Sequence, residues 1–262
     1  MSGARLALLD IFSYSCMNCL RSLEQIKRLS DKYAKFRLFT AIVHPPEWEF
    51  EKNNKNVCNA AKKYGIKFLI ITDKSRKITK RLGVDFWPSQ ILMKGGKIAY
   101  RHIGEGNYRE LEKAIIKELN FKGKNKTKLF KDEPKYSKFP TVYLGSKKHG
   151  KIKRDENLKN RKIKFGIVYA DGDWKQKDEF LENKNKISLS FLARGKRVYA
   201  VAESRNNDRA VVSIRADGKF LKNVRIKAPD SYCIAEFKDA KGRVLTLECK
   251  QGIAVYSFSF IK

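Results

Sequence analysis

The chain has 262 residues, 42% of them hydrophobic and 11% aromatic, which is enough for two domains with packed cores and excludes a wholly disordered protein. No apolar run approaches the roughly 20 residues of a membrane-spanning helix, and residues 1–5 lead into the first predicted strand without the features of a signal peptide. The formal charge of +30 would attract polyanions, but the chain contains no nucleic-acid-binding motif, so we expect no specific nucleic acid partner.

The first predicted element is a short buried strand over residues 8–12, whose apolar run is interrupted by one carboxylate, Asp10. Cys16 and Cys19 follow, and apolar residues then recur with the spacing of one helix face. Two thiols three residues apart at the start of a helix lie close enough to form a disulfide. Free backbone N–H groups and the helix dipole at this end favour Cys16 as a thiolate, the form that attacks disulfides.

A C-x-x-C pair can also be half of a zinc site. A structural zinc needs four ligands, usually from a second C-x-x-C or a pair of histidines. This sequence has no second C-x-x-C, and its three histidines, His44, His102 and His149, are far apart. We therefore expect a redox-active disulfide between Cys16 and Cys19, with no metal and no cofactor.

The rest of the first half alternates strands with helices. Strands are predicted over 37–43 and 68–71, helices over 20–34, 51–64, 75–82 and 109–119, and a hairpin over 88–100. Pro88 stands at the head of the hairpin, where a proline is tolerated because the missing N–H costs nothing. For His44, a structural role at the end of a strand is favoured over a role as proton shuttle.

Residues 122–140 are lysine-rich and without periodicity, and they are predicted to link a redox domain over 1–121 to a second domain over 141–262. Alternating apolar and polar residues in the second domain predict many short strands between glycine-containing turns. This pattern is typical of an all-β antiparallel sandwich of the jelly-roll type. Such sandwiches resemble carbohydrate-binding modules, and three aromatic residues could stack on a glycan or belong to the core: Trp174, Tyr199 and Tyr232.

Three further cysteines lie outside the C-x-x-C motif. Cys58 falls in a helical pattern and is predicted to be a small buried hydrophobic residue. Cys233 and Cys249 flank a predicted hairpin that turns at residues 239–242. A four-residue turn would place them one step out of register and on opposite faces, so we expect them to be unbridged, although a bulge or another loop length would bring them together.

Segments along nearly the whole chain resemble the DipZ family of thiol–disulfide proteins. They are SYSCMNCLRSL, IVHPPEWEFEKNNKNV, DFWPSQILM and HIGEGNY in the first half, and TVYLG, GDW, ISLSFLARGKRVYAVA and GIAVYSFSF in the second. The resemblance implies an α/β thioredoxin-like domain followed by the C-terminal domain of that family. DipZ proteins usually carry a membrane-embedded electron-transfer domain ahead of these two, and their thioredoxin-like domains commonly begin with a further strand and helix; we expect this chain to lack both.

The resemblance also implies the roles of the residues around the dithiol. Cys16 is the nucleophile that attacks a substrate disulfide, and Cys19 resolves the mixed disulfide. Asp10 lies where thioredoxins keep a buried carboxylate behind the dithiol. Burial should raise the pKa of Asp10, which would take up or return the proton of Cys19.

Pro88 matches the cis-proline that opens the strand facing the dithiol and shapes the groove where substrate backbone docks. Trp87 and Tyr14 are expected to line that groove, and Trp87 is expected to pack near Cys16 unless it is simply a core residue. The expected partners are protein disulfides or dithiols and an upstream electron donor or acceptor, such as a membrane protein of the DsbD or CcdA type.

The sequence therefore predicts a thiol–disulfide oxidoreductase. The resemblance implies the extracytoplasmic side, periplasmic or at the cell surface, whereas the lack of a signal peptide leaves a cytoplasmic location open. One alternative is a glycan- or partner-binding protein whose sandwich targets an accessory redox domain. Another is a relic in which the C-x-x-C motif forms a fixed structural disulfide.

Overall fold

The computed structural model describes residues 6–120, 139–154, 163–205, 209–250 and 252–262. The chain divides into two compact units, Met1–Pro134 and Lys135–Lys262. The predicted linker over 122–140 lies outside the described residues except for its last two positions. Within the described part, no helix is both long and apolar enough to cross a membrane.

In its described residues, the first unit is built on a five-stranded mixed sheet with four α-helices. Its elements are β1 (Leu6–Ile11), α1 (Met17–Tyr33), β2 (Leu38–His44), α2 (Asn54–Lys63), β3 (Leu69–Thr72), α3 (Lys77–Arg81), β4 (Ser89–Lys94), β5 (Lys97–Ile103) and α4 (Tyr108–Glu118). The strand order is β3-β2-β1-β4-β5, in which β1, β2 and β3 are parallel and β4 and β5 are antiparallel to their neighbours. This mixed sheet confirms the α/β thioredoxin-like class predicted for the first half.

Strand β1 is central in this sheet and is covered on both faces, which explains its nearly continuous apolar sequence. Leu8 packs with residues of α1 and α4, including Leu29 and Ile115, on one face. Ile11 packs with Leu82 beyond α3 on the other. Each such fully buried Leu or Ile contributes roughly 1.5–3 kcal/mol relative to an exposed one. The packing therefore fixes the end of β1, from which the chain runs into the dithiol.

In its described residues, the second unit is a ten-stranded sheet. Its strands are β6 (Val142–Tyr143), β7 (Ile152–Arg154), β8 (Val168–Gln176), β9 (Leu181–Ala193), β10 (Arg197–Ser204), β11 (Ala210–Ala216), β12 (Lys219–Ile226), β13 (Asp230–Glu236), β14 (Arg243–Cys249) and β15 (Ile253–Ile261). All described pairs are antiparallel except β7 with β8. The predicted all-β antiparallel class is confirmed, whereas the jelly-roll topology stays a prediction.

Strand β9 joins the parts of this sheet. It pairs with β8 along one edge, and along the other edge with β15 near its start and with β14 near its end. The inward-facing side chains form one core, in which the rings of Phe191 and Phe258 stack with centroids 3.9 Å apart.

Two predictions about cysteines are wrong. Cys58 is exposed because α2 turns Val57 and Ala60 towards the core, and Cys58 lies on the other side of the helix. Cys233 and Cys249 do not flank a hairpin: β13 pairs with β10, whereas β14 lies between β11 and β9. Although β13 and β14 are consecutive in sequence, they are therefore not neighbours in the sheet, and Cys233 and Cys249 are unbridged, as predicted.

Candidate dithiol site

The two cysteines of the C-x-x-C motif lie at the start of α1. Cys16 caps the helix, and its Sγ accepts a hydrogen bond from the backbone N–H of Cys19 at 3.3 Å. This cap position is usually held by a side-chain oxygen. Because sulfur takes that place here, the helix N–H groups stabilise negative charge on Cys16. Cys16 is partly exposed and Cys19 is completely buried, so a partner molecule reaches Cys16 first.

The surroundings of Cys19 keep its thiol protonated. Burial contributes most to raising the pKa of Cys19 above its usual range, and the neighbouring Cys16 and the charge of Glu47 act in the same direction. The backbone of Ser13 acts in the opposite direction. Cys19 therefore needs a proton acceptor before it can attack a disulfide. In the structure both residues are free thiols.

The segment before β4 contacts the dithiol. The Trp87–Pro88 peptide bond is cis, and the backbone oxygen of Trp87 lies 3.9 Å from Cys16 Sγ. The indole of Trp87 packs against the same apolar cluster as Cys16 and donates from Nε1 to Glu47 Oε2 at 3.1 Å. Phe86, which the sequence analysis did not single out, is 71% exposed. Phe86 thus offers an exposed aromatic ring one residue before the carbonyl that contacts Cys16.

Asp10 lies on β1 and is completely buried. Its Oδ1 accepts a hydrogen bond from Gln90 Nε2 at 3.1 Å, and the same amide nitrogen lies 3.2 Å from Ser22 Oγ on α1. Burial raises the pKa of Asp10 to about 7, although the hydrogen bond from Gln90 acts to lower it. Asp10 is therefore held beneath α1 through Gln90 and Ser22, and its hydrogen bond goes to Gln90 rather than to Cys19.

Tyr14 is placed differently from a groove residue. It is 2% exposed, and its ring stacks on that of His44 with centroids 5.5 Å apart. The ring thus offers almost no surface to a substrate. Burial lowers the pKa of His44 to about 4, so His44 is neutral at neutral pH and packs as an aromatic residue at the end of β2.

A second buried carboxylate, Glu51, was missed by the sequence analysis. It is 1% exposed and lies in a short 3-10 helix, Glu49–Lys52, where a longer α-helix over 51–64 was predicted. Ser13 Oγ and Ser15 Oγ donate to Glu51 Oε1 at 2.8 and 2.6 Å, and the backbone N–H of Glu47 donates to Oε2 at 2.7 Å. Burial and the charge of Glu47 raise the pKa of Glu51 to about 7, against the lowering effect of these hydrogen bonds.

The α-helix after this segment begins later than predicted because Asn53 caps it. The Asn53 side chain accepts a hydrogen bond from the backbone N–H of Lys55 at 2.9 Å, so α2 starts at Asn54. In the sequence, Ser13 and Ser15 on either side of Tyr14 were the feature that could have indicated a buried hydrogen-bond acceptor such as Glu51.

Among the described residues, no group of three or more His, Cys, Asp and Glu side chains is arranged to hold a metal ion.

The three aromatic candidates of the second unit do not share one surface. Trp174 and Tyr232 are partly buried against the core. Tyr232 is in register with Ala200 on β10, so its side chain and that of Tyr199 project from opposite faces of the sheet. Trp174 lines a cleft of about 190 Å³ together with Asp173, Lys175, Glu182 and Asn183.

Comparison with known proteins gives matches to both parts of this description. A family model described as "Thioredoxin like C-terminal domain" matches residues 140–260. The chain is 30% identical over 117 residues to Protein DipZ of Mycobacterium tuberculosis, covering 44% of this chain and 17% of that protein. It is 26% identical over 151 residues to Protein SUPPRESSOR OF QUENCHING 1, chloroplastic, of Arabidopsis thaliana, covering 54% of this chain and 14% of that protein.

The chain spans less than a fifth of the length of these curated relatives. Among solved structures it is similar to a putative thiol:disulfide interchange protein DsbE from Chlorobium tepidum, with 18% identity and a TM-score of 0.41 over 45% of this chain and 82% of that chain. The second unit thus matches the model described as a thioredoxin-like C-terminal domain, and 44% of the chain is similar in sequence to Protein DipZ.

Proposed function

We propose that this protein is a thiol–disulfide oxidoreductase that exchanges disulfides with protein substrates through Cys16 and Cys19. The observation that carries the proposal is the pairing of a partly exposed thiol, hydrogen-bonded to a helix N–H, with a completely buried thiol one turn along the same helix. The exposed sulfur suits attack on a partner, and the buried one suits a later intramolecular step. The homology with DipZ supports this reading.

The reaction proceeds in two exchanges. The Cys16 thiolate attacks a substrate disulfide, a sulfur–sulfur bond of the substrate breaks, and a substrate thiolate leaves and takes up a proton. Cys19 then gives up its proton and attacks Cys16 Sγ, which breaks the mixed disulfide and releases the second substrate thiol. Two electrons and two protons pass from the dithiol to the substrate, and the reverse sequence oxidises a substrate dithiol.

Asp10 is the proposed acceptor of the Cys19 proton. Its pKa of about 7 leaves a mixture of acid and carboxylate at neutral pH, which suits a group that both takes up and returns protons. Pro88 and Trp87 are proposed to guide the substrate backbone past Cys16, since the carbonyl of Trp87 already contacts the nucleophile. An electron donor or acceptor, such as a membrane protein of the DsbD or CcdA type, would reset the dithiol on the extracytoplasmic side.

The test is the reduction potential of the Cys16–Cys19 pair, measured by equilibrating the full chain in glutathione and dithiothreitol buffers. A potential near about −270 mV would indicate a reductant and one near about −120 mV an oxidant. Cys16→Ser should abolish the transition, whereas Cys58→Ser, which removes an exposed thiol away from the site, should leave it unchanged. A pair that never cycles, or that retains stoichiometric zinc, would overturn the proposal.

A second candidate function concerns the second unit alone. The cleft at Trp174 combines an indole ring with the carboxyl groups of Asp173 and Glu182, which is the mixture of groups that can stack on and hydrogen-bond a sugar. A glycan bound there would direct the dithiol to glycosylated partners. A sandwich of the carbohydrate-binding type is the corresponding proposal for the fold of this unit.

A further inference from the structure

Glu51 holds the turn that leads from β1 into the dithiol. Within this turn the backbone N–H of Cys16 donates to the carbonyl of Ser13 at 3.2 Å. Glu51 binds both sides of the turn, because Ser13 Oγ and Ser15 Oγ both donate to its carboxyl group. The backbone N–H of Ser15 also donates to Oε1, at 3.3 Å. A single buried carboxyl group thus fixes the residues directly before the nucleophile.

The same turn reaches the second thiol. The backbone of Ser13 forms a hydrogen bond that stabilises the charged form of Cys19. A shift of Ser13 would therefore change a backbone hydrogen bond of Cys16 and a hydrogen bond of the Cys19 thiol. Burying a carboxyl group costs free energy unless the group is hydrogen-bonded. Apolar packing therefore does not explain why Glu51 is buried at this turn.

Glu47 connects Glu51 to the other side of the dithiol. Its backbone N–H donates to Glu51 Oε2 at 2.7 Å, and its own carboxylate accepts from Trp87 Nε1 at 3.1 Å. The charge of Glu47 acts on both Glu51 and Cys19 and disfavours the anionic form of each. The two carboxyl groups therefore form a linked pair, here called the Glu47–Glu51 pair, beside the dithiol.

Other titratable and charged groups among the described residues contact this pair or its partners. His44 Nε2 lies 3.8 Å from Glu51 Oε2 at the end of β2, and burial keeps this histidine neutral at neutral pH. The Arg76 guanidinium lies 5.1 Å from the centroid of the Trp87 ring and donates to the carbonyl of Pro46. On the helix side, the thiol of Cys19 is a group on which the charge of Glu47 acts.

We propose that Glu51 is a positioning residue of the dithiol: its carboxyl group fixes the turn over residues 13–15 that aims Cys16, and its charge, acting with that of Glu47, controls how readily the dithiol ionises. The proposal deepens the proposed function and rests on it for its biological meaning. As pH rises through about 7, Glu51 gains a negative charge, and this charge, hydrogen-bonded to the residue directly before Cys16, opposes formation of the Cys16 thiolate. The reactivity of Cys16 would therefore rise less steeply with pH than it would without the charge of Glu51.

The test is the pH profile of Cys16 alkylation by iodoacetamide in the reduced full chain, with tandem mass spectrometry to separate Cys16 from Cys19. Glu51→Gln should move the midpoint of the Cys16 profile to lower pH by about half a unit, roughly a threefold gain in thiolate below the midpoint. Glu112→Gln is the matched control. It neutralises another completely buried carboxyl group of the same unit, one that binds Lys32 and Tyr33 instead of the dithiol turn.

A purely structural role for Glu51 would give Glu51→Gln the effect of Glu112→Gln, a loss of stability with an unmoved midpoint, and that outcome would overturn the proposal. Ser15→Ala is the second variant, because it keeps Glu51 but removes a hydrogen bond that favours its charged form. It should shift the midpoint in the same direction. If Glu51→Gln does not fold, Ser15→Ala decides alone, and an unmoved midpoint overturns the proposal.

The alkylation profile separates this proposal from the proposed function. Should the dithiol fail to equilibrate with glutathione, the oxidoreductase reading fails, while the response of Cys16 to Glu51→Gln still reports on the Glu47–Glu51 pair. If the dithiol does cycle, Glu51→Gln should also make its reduction potential less negative, because it favours the thiolate of the reduced form.

Discussion

A carboxyl group without contact to water resists ionisation, and Asp10 is in that position beneath the helix that carries the dithiol. Its pKa is about 7, against an ordinary value of 3.8, because burial outweighs the hydrogen bond from Gln90. A shift of this size has two consequences. It places the group in the range where it can exchange protons with a thiol at neutral pH, and it makes the stability of the first unit depend on pH.

The pH dependence has a definite sign. Between pH 4 and pH 7 an unfolded chain loses the Asp10 proton that the folded chain keeps, so the free energy of unfolding falls as pH rises and then levels off. Three pH units correspond to about 4 kcal/mol at most. Asp10→Asn has no such group. We therefore expect its free energy of unfolding, relative to wild type, to rise by roughly 2–4 kcal/mol from pH 4 to pH 8 in urea titrations.

Asp31→Asn is the control for this comparison, because Asp31 is an exposed carboxylate on α1. Its difference from wild type should vary little with pH. His44 contributes in the opposite direction, since its lowered pKa makes stability fall as pH drops from about 6.5 to 4, but this effect is common to wild type and both variants. If the free energies of unfolding of wild type and Asp10→Asn changed with pH in the same way, that result would contradict the raised pKa of Asp10.

At the scale of elements, the start of α1 places the two thiols in different environments. The apolar face of α1, which includes Leu23 and Ile26, is buried in the core, so the helix end that carries the dithiol has a fixed position. Cys16 lies outside the first turn and Cys19 inside it. In the proposed reaction, an incoming disulfide therefore meets the first sulfur, and the second acts after a mixed disulfide has formed.

Cys19→Ser should trap that mixed disulfide. With no thiol to resolve it, the bond between Cys16 and a substrate persists, and a covalent adduct with a disulfide-bonded protein such as insulin should accumulate on non-reducing gels. The double variant Cys16→Ser/Cys19→Ser should form no adduct at this site. Equal adduct in the single and double variants would show that another thiol, such as the exposed Cys58, was responsible.

The elements of the first unit could be predicted from sequence because their periodicities are strong and local. The dithiol, Asp10 and the hairpin after Pro88 fell in segments whose apolar spacing allowed one interpretation. Glu51 was missed because its segment has a helical pattern, and only the cap at Asn53 divides a 3-10 helix from α2. In the second unit, alternation predicted the strands but not their partners, because pairing of β13 and β14 depends on contacts distant in sequence.

For the molecule as a whole, the candidate redox residues and the candidate sugar-binding cleft lie in different units. The dithiol, Asp10 and the Glu47–Glu51 pair lie in the first, and the cleft at Trp174 lies in the second. The cleft has fewer groups free to bind than its lining suggests. Glu182 pairs with Lys177 at 3.1 Å, and the Arg154 guanidinium lies 5.2 Å from the Trp174 ring centroid. A sugar would have to displace that guanidinium to stack on the ring.

That requirement makes the glycan proposal testable in the full chain. Trp174→Ala should weaken oligosaccharide binding by about tenfold, the size expected for losing an aromatic stacking contact, while disulfide exchange with an unglycosylated protein stays unchanged. Tyr199→Ala is the matched control, since Tyr199 lies on β10 outside the cleft. Isothermal titration calorimetry against a panel of oligosaccharides measures the affinity. If Trp174→Ala binds as well as wild type, or wild type shows no saturable binding, the glycan proposal is wrong.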